Sequence, residues 1–195
     1  MSAFITIVSG LPRSGTSLLM QMLAAGGMPL LTDGRRAPDI DNPKGYFEFE
    51  RVKALPADTA WLAEARGRAV KVIHALLRHL PDHEVYRVLL VERALHEVVM
   101  SQGRMLARLG RPGGGLGAER MMSVFRQELV RVQSALADKP NVRVLRLQHA
   151  RLIGDPLAAA QAMNAFLGGG LDTGRMAEVV DPALHRSRTV DPGSA

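Results

Sequence analysis

Apolar residues fall along this chain in two kinds of run, some short and β-branched, others longer and helically spaced. Short runs predict β-strands at residues 4–9, 68–75, 85–92 and 141–148. The first and third are apolar at most positions, as is typical of parallel strands covered on both faces. Helical spacing predicts helices at 16–27, 54–67, 95–110, 117–138 and 155–170. Alternating strands and helices predict an α/β fold, a three-layer sandwich with a central parallel sheet.

The length of the chain, 195 residues, fits one domain. We expect this domain at residues 1–180, followed by a basic C-terminal tail at 181–195, with a linker-like loop at 110–117. The N-terminus runs directly into the first strand, without the basic and apolar regions of a signal peptide. No apolar run reaches the length of a membrane span. A cytoplasmic location is therefore expected.

Composition and charge narrow the classes of partner. The chain contains no cysteine, which excludes disulfides, thiolate metal sites and cysteine nucleophiles. Its formal net charge of +6 suits an anionic ligand, a nucleic acid or an acidic membrane. Aromatic residues make up only 4% of the chain, which disfavours a surface on which bases stack. A polyanionic small molecule is thus favoured over nucleic acid.

The stretch "SGLPRSGTSLL" at 9–19 is close to the phosphate-loop pattern G-x-x-x-x-G-K-[ST]. Gly10 and Gly15 have the required separation and Ser17 holds the hydroxyl position, but Thr16 replaces the lysine. A predicted strand precedes the loop and a predicted helix follows it, as a phosphate loop requires. Backbone N–H groups and the helix N-terminus can bind an anion there without a lysine. Arg13 supplies a cation that can bind an oxyanion at two points.

Two sequence blocks resemble the sulfotransferases. "LPRSGTS" at 11–17 resembles their 5′-phosphosulfate loop, P-[KR]-[SG]-G-T-[ST]. In that family a strand also ends in an arginine, and a serine follows eight residues later; Arg93 and Ser101 have this spacing here. Leu95 stands where the family often has a proline. The resemblance implies a P-loop NTPase-like sulfotransferase architecture and the donor 3′-phosphoadenosine 5′-phosphosulfate (PAPS), with no metal.

Three further stretches support this resemblance. "DNPKGYFEFE" at 41–50 resembles the segment N-P-[KR]-G-[FY]-[FW]-E of bacterial sulfotransferases. Residues 68–81 resemble the family's second strand, where Lys71 matches a lysine near the sulfuryl group. Residues 147–168 resemble the late pattern Y-E-D-L-x-x-D-P…F-L-G, with Gln148 or His149 in place of the tyrosine.

The resemblance implies roles for the residues that match. The leaving 5′-phosphate would be bound by the loop residues Arg13, Ser14, Gly15, Thr16 and Ser17. Arg93 and Ser101 would bind the 3′-phosphate of the donor. A surface ion pair with Glu92 or Glu97 is the alternative for Arg93, since exposed ion pairs of this kind are common.

Two residues are candidates for the base that removes the acceptor's proton. Glu48 is the first, because the resembling segment carries a glutamate in the acceptor cleft, and the alternative is a solvated loop charge. His74 is the second, although a regular strand would place it on the face opposite Lys71. A buried, hydrogen-bonded histidine is the alternative for His74. No metal site is expected.

The sequence thus predicts a PAPS-dependent sulfotransferase that acts on a hydroxyl or amine of a small-molecule or peptide acceptor. It specifies neither the acceptor nor the oligomeric state. One alternative is an ATP- or GTP-dependent phosphotransferase, in which Glu92 at the end of a strand would hold Mg²⁺. Another is a non-catalytic nucleotide-binding module.

Overall fold

The central sheet of the protein consists of parallel strands, as the sequence predicts. The computed structural model describes residues 4–39, 42, 44–108, 110 and 117–181. The strands are β1 (Ile5–Gly10), β2 (Ala69–Lys71), β3 (Tyr86–Glu92) and β4 (Val142–Gln148). They form one four-stranded sheet in the order β2-β1-β3-β4, and every neighbouring pair is parallel. Because parallel neighbours share an orientation, the carboxyl ends of all these strands meet at one edge of the sheet.

Helices connect the strands and cover the sheet. The α-helices are α1 (Thr16–Ala25), α2 (Leu62–Ala65), α3 (Leu95–Arg108), α4 (Ala118–Ala137), α5 (His149–Gly154), α6 (Pro156–Leu167) and α7 (Thr173–Glu178). Two 3₁₀ helices lie at Glu50–Ala54 and His74–His79. In the described part of the chain, no helix has the length and apolar character needed to cross a bilayer.

Two hydrophobic cores, one on each face of the sheet, confirm the three-layer arrangement. Side chains of a strand alternate between faces, and in β1 Ile7 enters one core while Val8 enters the other. The first core also contains residues of α2, α4 and both 3₁₀ helices. The second contains residues of α1, α5, α6 and α7. Burial of β1 and β3 on both faces explains their nearly continuous apolar sequence.

The second strand is shorter than the sequence predicts. We expected residues 68–75, but β2 ends at Lys71 and a 3₁₀ helix begins at His74. The Val72 N–H still donates to the Val8 carbonyl at 3.0 Å. Beyond Ser9 and Gly10, however, the neighbouring strand β1 turns into the glycine-rich loop. The chain after Val72 therefore has no strand with which to pair.

The prediction of a helix at 54–67 is also wrong over most of that range. The segment begins as the end of a 3₁₀ helix, and regular α-helix is confined to α2, residues 62–65. Pro56 lacks an N–H and clashes with the preceding turn of a regular helix, which accounts for the interruption. The linker-like loop lies outside the described residues except for its ends at 110 and 117, and the tail lies outside them from residue 182 onward.

Candidate active site

The glycine-rich loop between β1 and α1 forms the floor of the candidate site. It reverses the chain through two residues with positive φ, Arg13 at 67° and Gly15 at 111°. Positive φ is uncommon for a residue with a side chain, and such strain is concentrated at functional sites. The first N–H groups of α1 have no acceptor within the helix and point toward the loop. The loop therefore has the geometry of an anion site.

A cavity of about 640 Å³ opens above this loop, at the carboxyl edge of the sheet. Its lining includes eight Lys or Arg residues against three Asp or Glu residues. Among the predicted site residues, the cavity is lined by Arg13, Gly15, Thr16, Ser17, Glu48, Lys71, His74, Arg93 and Ser101. The excess of cations makes the cavity suited to a ligand that carries several negative charges.

Ser14 is the predicted loop residue whose side chain does not line the cavity. It is 1% exposed, and its backbone N–H donates to the Leu11 carbonyl at 3.1 Å. Its hydroxyl oxygen has no hydrogen-bond partner among the described residues. Ser14 therefore contributes to the turn through its backbone hydrogen bond, and its side chain is buried.

The two sequence blocks on which the sulfotransferase resemblance depends meet in this cavity. Arg13 Nε donates to Ser101 Oγ at 3.1 Å, which joins the loop to α3. Arg93, at the end of β3, donates from Nη1 to the Arg13 carbonyl oxygen at 3.0 Å. Arg93 Nε also lies 2.7 Å from a carboxylate oxygen of Glu97. The ion pair expected as an alternative is thus present, and Arg93 lines the cavity as well.

Lys71 extends from the end of β2 to the loop. Its ammonium donates to Ser17 Oγ at 3.0 Å and to the Tyr46 carbonyl oxygen at 2.8 Å. Asn42 Nδ2 donates to the same serine oxygen at 2.8 Å. Burial lowers the pKa of Lys71 to about 8, although the nearby carboxylate of Glu48 opposes this shift. A lysine from another strand therefore lies against the loop that lacks one at Thr16.

Glu48 is held in the cavity by residues that are not among the predicted site residues. Arg36 Nη1 lies 2.9 Å from Glu48 Oε1, and the Arg36 guanidinium stacks on the ring of Tyr46 at 3.3 Å. The Tyr46 hydroxyl in turn donates to the carboxylate of Asp39 at 2.8 Å. Asn42 and Tyr46 belong to the stretch that resembles a sulfotransferase segment, and this resemblance could have identified them as site residues. Arg36 precedes that stretch, and no motif in the sequence marks it.

His74 lies on the same cavity as Lys71, contrary to the expectation from a regular strand. Because β2 ends at Lys71, alternation of faces does not continue to residue 74. His74 is 7% exposed, and neither ring nitrogen has a hydrogen-bond partner among the described residues. Burial lowers its pKa below the usual value for histidine. His74 is therefore a neutral imidazole at pH 7, and both of its ring nitrogens are buried.

Glu92, the acidic residue expected in a phosphotransferase, is turned toward the edge strand β4. Gln148 Nε2 donates to one of its carboxylate oxygens at 2.6 Å, and Arg146 Nη1 lies 3.3 Å from the other. Glu92 does not line the cavity. Among the described residues, no group of three or more His, Asp or Glu side chains could hold a metal ion.

Comparison with known proteins relates this architecture to solved structures. No family model matches the chain, and no curated protein matches its sequence. The sulfotransferase domain of the curacin biosynthetic pathway aligns over 97% of this chain and 93% of its own, with a TM-score of 0.55 and 15% identity. The sulfotransferase domain of the Synechococcus PCC 7002 olefin synthase aligns over 98% of this chain and 89% of its own, with a TM-score of 0.54 and 19% identity.

A third structure, the mouse sulfotransferase SULT7A1 complexed with PAP, aligns over 97% of this chain and 69% of its own. Its TM-score is 0.60, and 16% of the aligned residues are identical. Likeness at this level of identity establishes architecture and leaves chemistry to the residues of the site. The chain therefore has the sulfotransferase fold.

Proposed function

We propose that this protein is a sulfotransferase that moves a sulfuryl group from PAPS to a hydroxyl or amine. The observation that carries the proposal is the convergence of Arg93 and Ser101 on Arg13, which is 80 residues from Arg93 in sequence. Two independent sequence blocks, each resembling a phosphate contact of that family, thus line one cavity. The fold shared with sulfotransferases, one of them complexed with PAP, supports the same conclusion.

The chemistry of the lining residues fits the donor. Its 5′-phosphosulfate would lie over the loop, within reach of the N–H groups at the start of α1, of Arg13 and of Lys71. Its 3′-phosphate would be bound by Arg93 and Ser101. When bound, the donor supplies an activated sulfuryl group. Lys71 and Arg13 would then stabilise the negative charge that develops on the 5′-phosphate as the bond from sulfur to its oxygen breaks.

The acceptor must lose a proton as its oxygen or nitrogen bonds to sulfur, and two residues can accept it. Glu48 is a carboxylic side chain held by Arg36. His74 is a neutral imidazole with both nitrogens unpaired among the described residues. An imidazole of lowered pKa is a weaker base, but it is already in the form that accepts a proton. Both remain candidates for the base.

Exchange of each candidate for an amide would identify the base. Of the two variants Glu48→Gln and His74→Gln, the one that lacks the base should convert PAPS to 3′-phosphoadenosine 5′-phosphate (PAP) about 100-fold more slowly or worse. Its affinity for PAP should change little. The variant at the other residue should lose much less activity. A non-catalytic nucleotide-binding module would retain PAP binding but show no conversion in the unaltered protein.

The donor site itself is tested by comparing PAP with AMP, which lacks only the 3′-phosphate. We expect Arg93→Ala to weaken PAP binding about tenfold or more, as measured by calorimetric titration, because a charged hydrogen bond is lost. AMP binding should be nearly unchanged. Arg126→Ala removes an exposed arginine of α4 outside the cavity and serves as the matched control. Equal losses for PAP and AMP would show that Arg93 only supports the loop through the Arg13 carbonyl, and would contradict its assignment to the 3′-phosphate.

A further inference from the structure

One part of the cavity wall is apolar, in contrast to the cationic region around the loop. Phe49, Val52, Ile73 and Met105 line the same cavity as the candidate bases. Phe49 directly follows Glu48 in the chain, and Ile73 directly precedes His74. Ile73 is 46% exposed, although a large aliphatic side chain is normally buried. The apolar surface is thus next to both residues that could accept the acceptor's proton.

Packing behind this wall holds it in place. The ring of Phe49 lies edge-on to that of Trp61, with the centroids 5.7 Å apart and the planes at 69°. Trp61 is fully buried, and Val52 belongs to the same hydrophobic core. Such an arrangement fixes the Phe49 ring before any ligand arrives. A preformed apolar wall with a few polar groups is typical of a site for a small organic molecule.

Charges near the wall are paired within the protein. Arg36 lies 2.9 Å from a Glu48 carboxylate oxygen, and Lys53 lies 2.9 Å from a Glu50 carboxylate oxygen. These two pairs include two of the three acidic residues that line the cavity. PAPS carries about four negative charges at neutral pH. The excess of five cationic over acidic lining residues, eight against three, is therefore nearly neutralised by the donor alone.

We propose that the acceptor is an uncharged, apolar alcohol or phenol, whose body packs on Phe49 and Ile73 and whose hydroxyl faces Glu48 and His74. This inference rests on the proposed sulfuryl transfer and adds the class of acceptor. The competing class is an anionic acceptor bound by Arg104 and Arg108, which also line the cavity. Apolar contacts next to both candidate bases favour the uncharged class.

Two naphthols that differ by one carboxylate distinguish these classes. Binding of 2-naphthol and of 6-hydroxy-2-naphthoate would be measured by their fluorescence, with the free protein and with the protein saturated with PAP. We expect 2-naphthol to bind the PAP-saturated protein at least about tenfold more tightly than the carboxylate, since bound PAP neutralises most of the cationic excess that could attract the added charge.

A matched pair of variants tests the wall itself. Ile73→Asn should weaken 2-naphthol binding about fivefold or more, because apolar contact is replaced by an amide. Val124→Asn, at a residue of α4 that is 49% exposed and outside the cavity, should leave it unchanged. Neither variant should alter the affinity for PAP, which also verifies that the Ile73→Asn protein is folded.

The outcomes separate this inference from the proposed function. Tighter binding of the carboxylate, or undiminished binding of 2-naphthol by Ile73→Asn, would overturn the apolar acceptor while PAP binding upheld the donor site. Failure of 2-naphthol to bind either the free or the PAP-saturated protein would also overturn it. Failure of PAP to bind would overturn the proposed function, whatever the naphthols do.

Discussion

At the residue scale, Thr16 stands where phosphate loops carry a lysine, and Lys71 reaches that loop from the next strand in the sheet. The glycine spacing and Arg13 could be recognised in the sequence because a loop motif is local. Arg36 could not, since its place beside Glu48 and Tyr46 depends on how the segment after α1 folds across the cavity. No periodicity or motif encodes such a contact.

The lowered pKa of Lys71 predicts how donor affinity depends on pH. In the free protein the amine loses its proton as the pH rises through about 8. A bound phosphate favours the ammonium form and raises this pKa. PAP affinity should therefore be highest below about pH 8 and fall by up to about tenfold per pH unit above it. Calorimetric titration between about pH 7 and pH 9.5 measures the change.

Lys71→Met is the control for this dependence. It should bind PAP more weakly at neutral pH, and its affinity should no longer fall across the same range. A constant affinity in the unaltered protein would contradict contact between Lys71 and the donor. Parallel decreases in both proteins would assign the dependence to another group.

Gly15 supports a second prediction at this scale. A Cβ at this position would lie 2.7 Å from Cδ2 of His149, and its φ of 111° strains any other residue. We expect Gly15→Ala to lower the free energy of unfolding by about 2–4 kcal/mol in chemical denaturation. Gly67→Ala is the matched control, with φ of 73° and no atom within 4 Å of the added carbon. Its expected cost is only about 1 kcal/mol. Equal losses in the two variants would show that the contact with His149 is unimportant.

At the element scale, the strands and the longer helices could be predicted because their apolar patterns match the faces they bury. The end of β2 could not, because it is set by the neighbouring strand turning into the loop at Gly10. This early end brings His74 to the cavity, which alternation along a strand would have prevented. A difference in one element thus changes which residues can take part in chemistry.

The start of α6 offers a prediction that separates stability from function. The Asp155 carboxylate accepts a hydrogen bond from the Ala158 N–H at 3.1 Å, and Pro156 occupies the first turn. Loss of this cap in Asp155→Ala should lower the free energy of unfolding by about 1 kcal/mol. Asp155→Asn should retain most of this free energy, since asparagine also caps helices. PAP affinity should be the same in both, because Asp155 lies outside the cavity. A loss of PAP binding would show that α6 contributes to the site.

At the scale of the whole molecule, the net charge of +6 indicated an anionic ligand without a location. Folding places eight of the basic residues around one cavity, at the edge of the sheet where parallel strands end. Composition could not predict this concentration, because the contributing residues come from β2, α3, the first 3₁₀ helix and the segments that follow β1, α1 and β3. The three-layer fold thus brings basic residues that are distant in sequence to one cavity.

The most direct test of this account is a calorimetric titration of the unaltered protein with PAP in the absence of metal, compared with ATP in the presence of magnesium. We predict preferential binding of PAP that does not require magnesium, because under the proposed function Arg93 and Ser101 would hold the 3′-phosphate, and because Glu92 of β3 does not line the cavity. Binding of ATP only with magnesium, and no preference for PAP, would contradict the sulfotransferase site and favour a phosphotransferase.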